Sequence, residues 1–251
     1  MSAGRYSTAV KAPPRQAERD VVATVLAGVV VACVAAAVPA LVYGASAEAA
    51  VLAVVLGPLP AVLAAVAVLR RRPLTATVAD RVTLTRVVLL TGSTAVTVLV
   101  LTGEVPARTW WLLLFTVPAL LLDAADGAVA RSTNSVTEAG ARLDYQVDSG
   151  ALVVLSLAVA PTLGYWVVLI GAMRYLFVAC SWVRPSWRLP LPSSDFRRFV
   201  AGLQGAVLAV AMTPVVPVGL AATGVGVALA LLLVSFGNAI VILETRNRLG
   251  R

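Results

Sequence analysis

Asp123-Ala-Ala-Asp126-Gly127-Ala-Val-Ala130-Arg131, followed after eight residues by Gly140-Ala-Arg-Leu-Asp144-Tyr-Gln-Val-Asp148, is the stretch that decides how this chain is read. Asp123 and Asp126 are three apart, and Asp144 and Asp148 are four apart, so each pair shares one face of a helix. One apolar run leads into the first pair and another leads out of the second. The pattern predicts two antiparallel helices joined by a turn near 132–139, with their acidic faces opposed.

Around this stretch the chain is extremely apolar. Of 251 residues, 60% are hydrophobic and only 13% charged. A soluble domain of this length needs more charge, so the expectation is an all-α polytopic membrane protein. The net charge of +8 comes from basic residues that flank apolar runs. That reads as membrane topology, with no nucleic acid as partner. There is no His, which excludes His-based zinc sites and His general bases and leaves carboxylates for both tasks. Cys33 and Cys180 lie far apart in apolar runs and read as small hydrophobes.

Taken in order, residues 1–20 read as a polar, disordered tail and 21–72 as two N-terminal transmembrane helices, about 21–44 and 48–69. Ala45-Ser46-Ala47 looks like a signal-peptidase site, but the run before it is longer than the roughly 7–15 residues of a signal sequence, so a retained span is expected. Residues 73–245 are expected to form one domain. It opens with an interfacial amphipathic helix at 73–86. Spans follow at about 87–102, 109–130, 143–160, 165–183, 199–213 and 217–243, with a basic tail at 246–251. The 199–213 segment is the weakest, interrupted by Gly202 and Gly205.

Basic segments fall at 1–20, 70–86, 131–142, 184–198 and 246–251. The turns near 44–48, 161–164 and 213–217 carry no Arg or Lys, and the turn at 103–108 only Arg108 beside Glu104. The alternation predicts eight spans in the cell membrane, both termini in the cytoplasm, and an acidic site that opens to the cytoplasmic face.

Helix capping accounts for one Asp but not four. An ionised Asp at the centre of a span costs about 2.5–3.5 kcal/mol on insertion scales, and crowding four together adds repulsion. A divalent cation removes that repulsion, and two remove more. Hard oxygen ligands with no Cys or His nearby favour Mg²⁺ or Mn²⁺. Gly127, Ala128 and Ala130 leave one helix face bare. Singly they read as helix packing; together they also permit close approach of a flat or phosphorylated ligand. Arg131 is placed to pair with a phosphate. Arg174, near the middle of the 165–183 span, is a functional candidate by its depth.

The pattern D-x2-D-G-x2-A-R-x8-G-x3-D-x3-D resembles the signature of the CDP-alcohol phosphotransferase family, and each fixed position is filled. The resemblance covers about 74–245 and implies a core of six membrane helices, here with two extra N-terminal ones. It implies a transferase of phospholipid biosynthesis: an alcohol hydroxyl attacks the β-phosphate of a CDP-linked donor, in bacteria usually CDP-diacylglycerol, and CMP leaves. It also implies two divalent ions and a homodimer. Carried over residue by residue, Asp123, Asp126 and Asp144 are metal ligands, and Asp148 is the general base and a further metal contact. Gly127, Ala130 and Arg131 receive the donor's cytidine and phosphate.

A second family stretch, P-N-x-[IL]-T-x-x-R, is matched in part by residues 79–86. Thr83 and Arg86 agree, while Asp80 replaces the Asn and the Pro is missing. The match makes Thr83 a nucleotide contact, and Arg86 either a ligand contact or a positive-inside anchor. Relatives often carry an Arg where Arg174 stands, beside the acceptor pocket. Arg174 is therefore read as binding a phosphate of the acceptor or donor, with an ion pair to a site Asp as its structural alternative. Arg198 and Gln204 keep two positions of the G-K-x-K-T-x-x-Q stretch of phosphatidylglycerophosphate synthases, while Val200 and Ala201 break two others. Arg174 and Arg198 are the acceptor-binding candidates. Glycerol 3-phosphate is the first expected acceptor, with inositol phosphate and phosphatidylglycerol (as in cardiolipin synthesis) as alternatives. A reading of another class is a cation transporter using intramembrane carboxylates. The Gly127, Ala130, Arg131 and Gly140 frame speaks against it, since a bare cation does not need one.

Overall fold

A computed structural model describes residues 15–70, 78–133, 138–189, 191–192 and 194–248; within these it leaves out the side chains of 15–17, 78–81, 125–133, 138–139 and 188. The described residues form nine α-helices and no strand: α1 (Arg15–Tyr43), α2 (Ala47–Leu56), α3 (Leu59–Leu69), α4 (Val78–Leu101), α5 (Trp110–Thr133), α6 (Glu138–Leu163), α7 (Val168–Val183), α8 (Asp195–Ala211) and α9 (Val218–Arg248). Short 3₁₀ turns precede and follow α7, at Tyr165–Val167 and Pro185–Arg188.

Six helical segments among the described residues are long and apolar enough to cross a membrane: Glu18–Tyr43, Ala47–Leu69, Val82–Leu101, Gly140–Leu163, Tyr165–Val183 and Val218–Arg248. The protein is a polytopic all-α membrane protein. All eight expected segments are helical, but two fall short of the span criterion. In α5 the described apolar part is Trp110–Ala124, and α8 has 17 residues.

Three boundaries differ from the sequence reading. Helix α1 begins at Arg15, inside the segment expected to be a disordered tail; residues 1–14 lie outside the described residues. The 47–69 run is broken into α2 and α3, because Pro58 has no N–H to continue the ladder. The interfacial helix expected at 73–86 is not separate where described: Val78 opens α4, which runs unbroken to Leu101. Residues 71–77 lie outside the described residues.

Helix α4 is the centre of the bundle and packs on α1, α2, α3, α5 and α6. Its Val87, Leu90, Ala95, Val96, Leu99 and Val100 are buried. It is also rich in hydroxyls that need partners away from water. Thr91 and Thr97 donate to the carbonyls of Val87 and Ser93, and Ser93 Oγ meets Thr116 Oγ1 of α5 at 3.1 Å.

Small residues let the helices close up. A Cβ at Gly57 would lie 2.8 Å from Ala36 Cβ and 3.2 Å from Ala95 Cβ, so the α2–α3 break seats between α1 and α4. A Cβ at Gly171 would lie 2.5 Å from the Val153 backbone, fixing α7 on α6. Beside α4, the lower turns of α1 and α3 (Val21, Val25, Ala64, Val68) share one apolar cluster with Val87 and Leu143. That cluster backs directly onto the acidic residues.

The far end of α4 is tied differently. Gly44 and Gly103, both at positive φ, end α1 and α4. Ser46 Oγ donates to Glu104 Oε1 at 2.5 Å, and Tyr43 and Thr109 hydroxyls meet at 2.9 Å. Arg108 donates to the backbone carbonyls of Thr213 and Val216, closing the α8–α9 turn.

Candidate active site

Helices α5 and α6 are joined over 134–137, outside the described residues, within the turn expected from sequence. Asp123 sits near the middle of α5. Asp144 and Asp148 lie one turn apart on α6, and Ala124 and Tyr145 beside them face the same cavity. Asp123 of the first pair meets both aspartates of the second. One oxygen from each of Asp123, Asp144 and Asp148 lies within 4.8 Å of the others.

What stands between them is Arg86 of α4. Its Nη1 donates to Asp123 Oδ1 at 2.6 Å and to Asp144 Oδ1 at 2.7 Å, and its Nη2 donates to Asp148 Oδ1. The arginine side chain is 3% exposed, whereas the three carboxylates are 40–43% exposed. The guanidinium is thus packed behind the carboxylates, which face open space. Sequence reasoning had Arg86 as an anchor or a ligand contact and missed this role. Its partners lie 37 to 62 residues away, so spacing within a motif carries no trace of them.

The carboxylates open into a cavity of about 480 Å³. Its floor is apolar, with Leu90, Leu152, Leu155, Ile170 and Leu232 among its lining. Its charged groups come from five helices: Arg86 of α4, the aspartates of α5 and α6, Arg174 of α7, and Arg198 of α8. Both acceptor-binding candidates therefore share one cavity with the acidic cluster.

Arg174 donates to the Tyr145 carbonyl and Ser149 Oγ, and its guanidinium carbon lies 3.4 Å from the centroid of the Tyr145 ring. The ion pair to the aspartates, posed as its structural alternative, is made by Arg86 instead. Tyr145 and Ser149 are site residues that the sequence reading did not single out; their own i, i+4 spacing beside Asp144 and Asp148 was the available signal. Arg198 is 70% exposed at the cavity mouth and meets Asp195 at 3.4 Å. Gln204 is fully buried and donates to the carbonyls of Val200 and Ala228, pinning α8 to α9.

Thr83 is buried on α4, one turn before Arg86, and is not part of the cavity wall. The side chains of Asp126, Gly127, Ala130 and Arg131 lie outside the described residues; their backbone continues α5.

The described residues fit a divalent cation. The donors are carboxylate oxygens only, clustered within 4.8 Å, the set preferred by Mg²⁺ and Mn²⁺. The cluster draws in a buried guanidinium, so it demands positive charge.

Comparison with known proteins agrees with this geometry. The family model for CDP-alcohol phosphatidyltransferase matches residues 76–237, a span that holds α4 to most of α9 and each residue of the site. Helices α1 to α3 precede the match. No curated protein and no solved structure matches the chain. With nearly two thirds of its length inside the family model, and Asp123, Asp144 and Asp148 drawn together at one cavity, the chain belongs to the CDP-alcohol phosphatidyltransferase family, whose reaction moves a phosphatidyl group from a CDP-alcohol to an acceptor.

Proposed function

We propose that the protein is a membrane phospholipid synthase that takes CDP-diacylglycerol as donor and glycerol 3-phosphate as acceptor, releasing CMP. One observation carries the acceptor: Arg174 and Arg198 line the same cavity as the acidic cluster. A phosphorylated alcohol whose hydroxyl reaches Asp148 has two guanidinium groups available for its phosphate.

In this reading Asp123, Asp126, Asp144 and Asp148 hold two divalent ions, either Mg²⁺ or Mn²⁺. Bound there, such ions would offset the charge that develops on CMP. Asp148 Oδ1 takes the proton of the acceptor hydroxyl; the hydroxyl oxygen bonds to the β-phosphorus, and the bond from that phosphorus to the CMP oxygen breaks. Gly127, Ala130 and Arg131 receive the nucleotide and phosphate. The apolar lower wall of the cavity suits the acyl-bearing part of the donor. The arginine-rich loops support a site that faces the cytoplasm, with both termini on that side of the cell membrane. A homodimer is proposed from the family resemblance.

The test is incubation of membranes containing the protein with labelled CDP-diacylglycerol and a panel of acceptors, with lipid products identified by mass. The expected product is phosphatidylglycerophosphate. A product from inositol phosphate or phosphatidylglycerol instead, or cytidine-lipid consumption with no acceptor dependence, would overturn the assignment.

A further inference from the structure

Arg86 has a property that the transfer reaction does not explain. A guanidinium is fixed against three carboxylates that the family uses for divalent ions, and it reaches them from the protein side, with 3% of its side chain exposed. Nη1 lies 2.6 and 2.7 Å from one oxygen each of Asp123 and Asp144, and Nη2 takes one oxygen of Asp148. Those three oxygens belong to the three groups that lie within 4.8 Å of one another. A Mg²⁺ or Mn²⁺ ion needs oxygens at about 2.0–2.1 Å and little tolerance in angle. It would draw on the same lone pairs and carry its charge within a few ångströms of the guanidinium, where like charges in a half-buried place repel strongly.

We propose that Arg86 is a built-in counter-cation of the metal centre: it holds the three carboxylates together while no divalent ion is bound, and it gives up those oxygens when one binds. The inference rests on the reading of the acidic cluster as a metal centre. The surroundings allow the exchange. Val87 and Leu90 are buried against neighbouring helices, so the α4 backbone stays in place. The Arg86 side chain is among those that border the 480 Å³ cavity. The carboxylates, 40–43% exposed, are open to the incoming ion from the cavity side. Three carboxylates against one guanidinium leave net negative charge, so exchanging a single positive charge for a double one is favourable. Arg86 thereby removes the cost of three crowded anions while the protein inserts and folds without its ions, a cost that is high inside a membrane.

Competition for the same oxygens makes an explicit statement about affinity. Full-length protein in lipid nanodiscs, free of nucleotide and lipid substrate, is titrated with Mn²⁺ and the free ion followed by electron paramagnetic resonance. Arg86→Gln is expected to bind Mn²⁺ about tenfold more tightly than the wild type, within the usual range of coupling between competing ligands. Without the ion the variant is expected to melt at a lower temperature than the wild type, and saturating Mn²⁺ to raise its melting temperature by more. Arg86→Lys keeps a charge but not the fork that spans three carboxylates. It is expected to fall between the two, and it serves where the glutamine variant does not fold. Equal or weaker Mn²⁺ binding by the variants would overturn the exchange and make Arg86 a permanent support of the ligands, leaving the metal reading intact. Binding by no form of the protein would remove both.

Discussion

Arg86 lies in the N-terminal half of α4 and Arg108 in the loop beyond its C-terminus, and the difference between their partners separates the working end of the molecule from the holding end. Arg86 faces three half-exposed carboxylates at a cavity. Arg108 faces the carbonyl oxygens of Thr213 and Val216, and its Nε is buried without a hydrogen-bond partner. Carboxylate side chains can turn, take a proton or pass to an ion. Backbone carbonyls at a helix turn can do none of these. A charge that answers charges can be exchanged, whereas one that answers fixed dipoles acts as a clamp. Substitutions near the first arginine should therefore alter chemistry, and those near the second only stability.

The largest effect is expected at Asp148. Asp148→Asn should lower CMP release by about 100-fold or more, the usual range for losing a general base. The variant should still insert in membranes, and EDTA should silence the wild type to a similar extent. Normal turnover by the variant would take the base assignment away, and activity that survives EDTA would end the metal mechanism. A smaller effect is expected at Arg174. Arg174→Ala should raise the KM for a phosphorylated acceptor by about tenfold, the equivalent of a charge-assisted contact, with a lesser change in kcat. An unchanged KM would leave Arg174 as a brace between α7 and α6 through Tyr145 and Ser149. Arg108→Met is expected to be the mildest for chemistry. It should cost about 2 kcal/mol of stability through its lost bonds to carbonyls, read as a lower melting temperature, with both KM values and Mn²⁺ affinity unchanged. A shifted KM in that variant would collapse the distinction between the two ends.

Much of this was legible in the residues themselves. Long apolar runs in a chain with 13% charge can satisfy their backbones in a bilayer only as helices or closed barrels, and their lengths suit helices. The paired aspartates then announce their own faces by spacing alone. Legibility fails where the cause is tertiary. Pro58 marks the α2–α3 break within the window, but the seating of that break, with Gly57 against Ala36 and Ala95, depends on neighbours supplied by other helices. The start of α4 was read as interfacial because Asp80, Arg81 and Arg86 are polar. Arg86 is in fact buried, since its charge is answered by groups from α5 and α6. Pattern within a window registers the cost of a charge but not the partner that offsets it.

Helices α1 to α3 precede the family match and are fastened to the core at both ends. Near the site they join Val87 and Leu143 in one apolar cluster, and at the other end Ser46 grips Glu104 and Tyr43 meets Thr109. They occupy the flank of α4 as a neighbouring polypeptide would. Where they pack, that flank of α4 is closed to lipid and to any other chain. Elsewhere, α7 exposes Tyr175, Trp182 and Val183, and α9 exposes Leu233 and Val241. The accessory helices thus act as a sheath: their own apolar faces, such as Leu26, Val30 and Leu63, meet the surroundings in place of that flank of α4.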